Sequence, residues 1–140
     1  INMIRLLDLL LENQENAVTQ ASNEINNIQI EGLKKLRTAP KTIQNKVILR
    51  KISLTPPNSL DVVELKELII NPEYQGKGIG TTALNKITDV ADKYKAPLYL
   101  EVVPIGNKPL SIHKLVDFYK KFGFVLLIYG KRPIMFRGSK

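Results

Sequence analysis

Residues 68–84 read LIINPEYQGKGIGTTAL, an apolar run that breaks at Asn71 and Pro72, crosses glycines at 76, 78 and 80, and resumes as amphipathic sequence. The apolar run, together with the VVELKE before it, has the composition of a strand. Beyond the glycines, TTALNKITDVADKYKA carries Leu84, Ile87, Ala91 and Tyr94 at helical spacing. A strand that turns through glycines into a helix puts the loop's free amides at the helix N-terminus, where the helix dipole also favours an anion. Gly76, Gly78 and Gly80 remove the side chains that would block such an approach and permit positive φ, and Lys77 adds a cation.

Several readings of that loop compete. A P-loop needs Gly, four residues and then Gly-Lys-Ser/Thr, and the chain has no such string, which argues against triphosphate hydrolysis. GIGTTA, residues 78–83, satisfies G-x-G-x-x-A, with Glu101 near the end of the next strand at about the distance of a ribose ligand. Against a dinucleotide site, residues 71–75 intervene before the glycines, and the alternating elements of a doubly wound sheet are missing. A glycine turn that binds nothing is a further alternative.

Upstream, Ile4, Leu7, Leu11, Val18, Ala21, Ile25 and Ile28 recur at three-and-four spacing, with Gln14 filling one position. This is the seam of a helix, and a second short helical stretch is expected at residues 33–37, before Pro40. The chain therefore divides into a helical segment, 1–40, and an α/β domain, 41–140. The seam either packs on that domain or joins two copies through residues 4–28. KVILRKISL (46–54) and VVELKELIIN (62–71) are expected strands, and TPPNSLD between them a loop. LYLEVV (98–103) follows as a strand and PIGNKP (104–109) as a loop. LSIHKLVDFYKKF (110–122) is expected as a helix capped by Gly123, FVLLIY (124–129) as a long strand, and IMFRG (134–138) as a last edge strand.

At 140 residues and 44% hydrophobic content the chain holds enough apolar surface for one core. It has no Cys, which excludes disulfides and a thiol nucleophile, and its single histidine, His113, argues against a zinc site. No metal is expected. Apolar runs such as 9–11 and 125–129 fall far short of the roughly 20 residues that span a bilayer, so no membrane partner is expected and the cytoplasm is the default. The net charge of +8 suits an anionic partner. Aromatics are few and not interleaved with basic residues, which leaves nucleic-acid binding without a motif.

Gln75, Gly78 and Gly80, with Pro72-Glu73-Tyr74 before them, resemble the acetyl-CoA signature of the GNAT (Gcn5-related) N-acetyltransferases. Downstream, LVDFYKKFGF at 115–124 is similar to the same family's helix ending in aromatic-Tyr-x-x-x-Gly-Phe, and a strand lies between the two elements. The resemblance covers residues 65–136. It implies a mixed α/β fold with a central, mostly antiparallel sheet flanked by helices, opened at the strand before the glycine loop. It also implies acetyl-CoA as acyl donor, with the backbone of Leu68, Ile69 and Ile70 along its arm. Gln75, Gly76, Lys77, Gly78, Ile79, Gly80 and Thr81 would sit around its pyrophosphate.

The implied reaction moves an acetyl group from the thioester to a primary amine without an enzyme nucleophile, in keeping with the absence of Cys. It needs a neutral amine, a polarised carbonyl and a proton for the leaving thiolate. By resemblance Tyr119 stands where the family carries its proton donor; the alternative is a core tyrosine in the helix's apolar stripe. Glu64 and Glu67 are candidate bases, and their spacing puts them on opposite faces of a regular strand. Glu64 shares the parity of Leu68 and Ile70.

Where many members place an Asn before the tyrosine this chain has Ile112, and Asn107 and Ser111 are the candidate substitutes. The region before the sheet lacks an evident first strand. A small molecule or a protein can serve as the amine acceptor. The rival reading is a non-catalytic module of the same fold that assembles through its N-terminal helix.

Overall fold

The computed structural model describes residues 17–44, 59–104 and 110–138. Helix α1 covers residues 17–26 and leads into strand β1 (Leu33–Gln44), which pairs antiparallel with β2 (Ser59–Ile70). A 3-10 turn at Pro72–Tyr74 precedes helix α2 (Ile79–Lys93). Strand β3 (Leu98–Glu101), helix α3 (Ile112–Lys120), and strands β4 (Val125–Ile128) and β5 (Ile134–Arg137) complete the order. The sheet runs β1-β2-β3-β5-β4, and only β2 and β3 are parallel. The mixed α/β fold with a mostly antiparallel sheet is therefore the one expected.

One face of the sheet carries the main core. Val63, Leu65, Leu98, Leu100 and Met135 meet Val18, Ala21 and Ile25 of α1, Leu84, Ile87 and Ala91 of α2, and Val116 of α3. The apolar stripe of α2 is the one its spacing predicts, and burial of such a stripe, rather than helix propensity, holds a 15-residue helix in place. On the other face Val62, Tyr99 and Leu127 form a smaller cluster with Ile128, Ile134 and Phe136 packed against it.

Four expectations change. Residues 33–37 are strand, not helix, because β1 begins at Leu33 and supplies the first strand that the sequence did not reveal. Pro40 sits within it, opposite Val63, and is tolerated because β1 lies at the sheet's edge and bonds on one side only. The seam at Val18, Ala21 and Ile25 is buried in the chain's own core, so this part of it packs internally and β1 runs across the division drawn at residue 40. The final hairpin is inverted in place: β5 is interior and β4, four residues long, is the edge. Residues 4–16 of the seam and the strand expected at 46–54 lie outside the described residues. Among the described residues no helix is long and apolar enough to cross a membrane.

Arg137 fixes α3 against this frame. Its Nε donates to the Phe122 carbonyl at 2.8 Å, and its two terminal nitrogens donate to the Asp92 carboxylate at 2.9 and 3.0 Å. The guanidinium is buried, and a planar fork met by a carboxylate on one side and a carbonyl on the other is the arrangement that offsets the cost of burying its charge. The turn after α3 is thereby held to the end of α2. Gly123, at φ 92°, lets the chain turn there, 3.3 Å from Arg137 for any added Cβ.

Candidate active site

β2 and β3 pair only at Val63 with Leu98 and at Glu64 with Tyr99, and then part. From Leu65 to Ile70, β2 bonds to β1 alone, and its other edge opens on a cleft of about 450 Å³. The cleft is lined by β2 residues 65–70, by Tyr74, Gln75, Gly76, Gly78, Ile79 and Gly80 of the glycine turn, by Leu100 and Glu101 of β3, and by Leu115 and Tyr119 of α3. Leu68, Ile69 and Ile70 all line this cleft.

The parting strand carries a bulge. Arg37 faces Glu67 while the next residue, Thr38, faces Leu65, which leaves Lys66 as the extra residue of β2. The extra residue shifts the alternation by one. Glu64 and Glu67 consequently share a face, where regular spacing predicts opposite ones. Leu68 packs on the main core and Glu64 lies on the face of Val62 and Tyr99, so the parity expected between Glu64 and Leu68 is lost as well.

The glycine turn presents its amides. Gly76 and Gly78 both have φ of 78°, and a Cβ added at either meets nothing within 4 Å, so backbone conformation rather than crowding requires glycine there. Gly78 caps α2 without a side-chain bond, and the first hydrogen bond of the helix runs from the Thr82 amide to the Gly78 carbonyl at 3.0 Å. The amides of Ile79, Gly80 and Thr81, in the first turn of α2, precede that bond and have no acceptor within the helix. Gln75 reaches back to donate from Nε2 to the Ile70 carbonyl at 3.4 Å. Lys77 is exposed beside the turn, its Nζ 5.6 Å from the Tyr74 ring, and Thr81 is exposed on the first turn of α2; neither lines the cleft.

Tyr119 enters the cleft from α3, its ring edge-on to Phe118 at 5.5 Å and to Phe124 at 5.7 Å. Burial pushes its phenol pKa up, so the hydroxyl keeps its proton. Among the described residues that hydroxyl has no hydrogen-bond partner, unlike an ordinary core tyrosine. Glu67 also lines the cleft, with Arg37 Nη1 at 3.9 Å. Glu64 does not; it pairs with Lys41 at 3.7 Å, just before the strands part. Asn107 lies outside the described residues. His113 is exposed and pairs with Asp117 at 3.5 Å, away from the cleft.

The structure adds residues that the sequence did not mark for this site. Glu101 lines the cleft opposite Glu67 and accepts a hydrogen bond from the Tyr99 hydroxyl at 3.4 Å. Its position at the end of the strand between the two motifs is the signal in the sequence, which the dinucleotide alternative assigns to a ribose ligand. Val103 and Leu110, 41% and 52% exposed, form an apolar rim that no periodicity reveals. Gly32, at φ 89°, passes so close behind the turn that an added Cβ would lie 2.6 Å from both Tyr74 and Ile79, and its carbonyl accepts from the Asn71 amide at 2.9 Å.

Residues 10–124 match the model of the acetyltransferase (GNAT) family. A curated relative, described as an uncharacterized N-acetyltransferase MJ1207 of Methanocaldococcus jannaschii, is 33% identical over 64 residues, 46% of this chain and 26% of the relative. Among solved structures, a bacterial toxin superposes with a TM-score of 0.54 at 17% identity, over 74% of this chain and 57% of the toxin. Arabidopsis thaliana Naa50, in complex with the bisubstrate analogue CoA-Ac-MVNAL, superposes with a TM-score of 0.43 at 26% identity, over 56% of each chain. The chain thus spans about a quarter of the curated relative and little more than half of the toxin. Because the family model matches well over half of the sequence, residues 10–124, the chain belongs to the GNAT acetyltransferase family.

Proposed function

We propose that the chain is an acetyl-CoA-dependent N-acetyltransferase that acetylates a primary amine. The observation that carries the reading is the parting of β2 from β3: it leaves a strand edge about 17 Å long, from Leu65 to Ile70, running from the glycine turn back to the fork where the strands meet. The site's residues fit the donor. An amide-bearing pantetheine arm can add to that edge as a further strand would, and the amides of Gln75 to Thr81, with Lys77 beside them, suit a pyrophosphate. Bound acetyl-CoA supplies the acetyl group as a thioester, whose C–S bond is exchanged for a C–N bond to the acceptor.

The remaining work falls to the chain. Tyr119, its proton retained by burial, delivers that proton to the departing sulfur. A base, either a carboxylate or a chain of water, takes the proton that the acceptor nitrogen loses. Glu67 and Glu101, on the two lips of the cleft, are the groups placed to do so for an external amine. Glu64 stands just beyond the cleft, and Asn107 remains a candidate contact to the donor. The non-catalytic alternative loses support from α1, whose seam from Val18 to Ile25 is occupied by the chain's own core.

The test is calorimetric titration of acetyl-CoA, with CoA and NADH as controls, into the wild type and a folded Gly78→Asp/Gly80→Asp variant. Two carboxylates placed at the start of α2 should weaken acetyl-CoA binding at least tenfold. A folded wild type that takes up none would overturn the reading.

A further inference from the structure

We propose that Lys41 is an internal acceptor, acetylated on Nζ by the chain's own site; this rests on the function proposed above. Lys41 belongs to β1 and stands opposite Val62, yet its ammonium is not at the sheet's edge. It reaches across β2 to lie 4.5 Å from the centroid of the Tyr99 ring, which belongs to β3. Two strand spacings separate β1 from β3, about 10 Å, so the lysine side chain is extended over the sheet face to get there. On the way it passes Glu64, whose Oε1 is 3.7 Å from Nζ.

That position is the fork itself. Glu64 and Tyr99 are the last residues that β2 and β3 pair before they part, and the cleft opens at the next residue, Leu65. A donor whose pyrophosphate sits on the glycine turn and whose arm follows β2 back from Ile70 brings its acyl end toward the same fork. The chain has placed an amine there, between a carboxylate and an aromatic ring, where cation–π attraction and the ion pair together hold it. Lys41 is also accessible, with 37% of its side chain exposed.

The proton balance closes on residues already named. The Lys41 ammonium gives a proton to the Glu64 carboxylate and its nitrogen forms the new bond to the acetyl carbon. The thioester C–S bond breaks, and the sulfur leaves with the proton from Tyr119. The second proton that the nitrogen sheds as it becomes an amide restores the Tyr119 phenol through water, and Glu64 releases its own proton to solvent. Nε-acetyl-lysine and free CoA are the products. The product amide carries no charge, so the pairing with Glu64 and the attraction to Tyr99 end with the reaction.

The experiment incubates the full chain with radiolabelled acetyl-CoA near neutral pH and locates label by peptide mass spectrometry over time. Exposed lysines remote from the fork, Lys34 and Lys95, report uncatalysed acetylation. Lys41 should be modified at least tenfold faster than either, at a rate per molecule that does not change on dilution. Lys41→Arg keeps a cation over Tyr99 and should abolish the fast phase; Tyr119→Phe should slow it at least tenfold. Modification of Lys41 at the pace of Lys34 and Lys95, in protein that calorimetry shows to bind acetyl-CoA, overturns this inference and leaves the function standing. Absence of binding overturns both.

Discussion

The two halves of β2 are one strand with two fates. From Ser59 to Glu64 it meets β1 on one side and, at its end, β3 on the other, and Val62 and Val63 are fully buried. From Leu65 to Ile70 it keeps β1 and loses β3, and every residue lines the cleft. Both halves are about equally apolar, so composition does not separate them. What separates them is the hydrogen bonding withheld from the second half, and withheld pairing is what a strand-like ligand needs. The bulge at Lys66 marks the change, and a second irregularity, between Leu33 and Lys35 of β1, lies opposite the far end of the open half.

Truncating the paired end should cost the most. Leu98→Ala removes a fully buried side chain opposite Val63 and should lower unfolding free energy in urea by about 3–5 kcal/mol, whereas Leu68→Ala, half-buried on the open half, should cost only about 1 kcal/mol. Equal losses would erase the distinction between the halves. Next in size, Tyr119→Phe should lower the rate of acetyl transfer at least tenfold while leaving acetyl-CoA affinity and urea stability nearly unchanged, because the ring contacts survive and only the hydroxyl goes. An unchanged rate would remove Tyr119 from the chemistry and leave the open half a binding groove alone.

The smallest effect is read in alkali. Burial raises the phenol pKa of Tyr119, and burial first, then the charges of Glu101 and Glu64, pushes that of Tyr99 up to about 12. A folded-state pKa above the unfolded value near 10 means that the native protein holds its protons longer. The stability these groups contribute is therefore complete below about pH 10 and declines as pH rises toward 12. Tyr119→Phe should shallow that decline, as measured by urea midpoints across the range, and Glu101→Gln should move the Tyr99 absorbance titration downward. A Tyr99 titration unmoved in that variant would mean that the 3.4 Å contact does not persist in solution.

Elements with one strong period were legible. The stripe of Leu84, Ile87 and Ala91 gives α2, and Gln75, Gly78 and Gly80 mark the turn before it. β1 was not, because LKKLRTAPKTIQ alternates poorly and contains Pro40, which only an edge position excuses. The bulge at Lys66 was equally hidden: VVELKELII reads as an unbroken strand, and the extra residue exists only in relation to Arg37 and Thr38 across the sheet. With it went the correct face for Glu64. Lys41 belongs to the same class, since nothing local tells that a lysine on the first strand touches an aromatic ring on the third.

The close passage of Gly32 behind Tyr74 and Ile79 has a bearing on engineering. The glycine turn looks like a transferable cassette, a short motif between a strand and a helix. Its rear wall, however, is backbone from some forty positions earlier, fitted so tightly that even a methyl group has no room. A graft of residues 71–84 into another scaffold would carry the amides without the wall that shapes them. Recombination that exchanges the segment before β2 has to conserve one residue without a side chain to keep the turn in form.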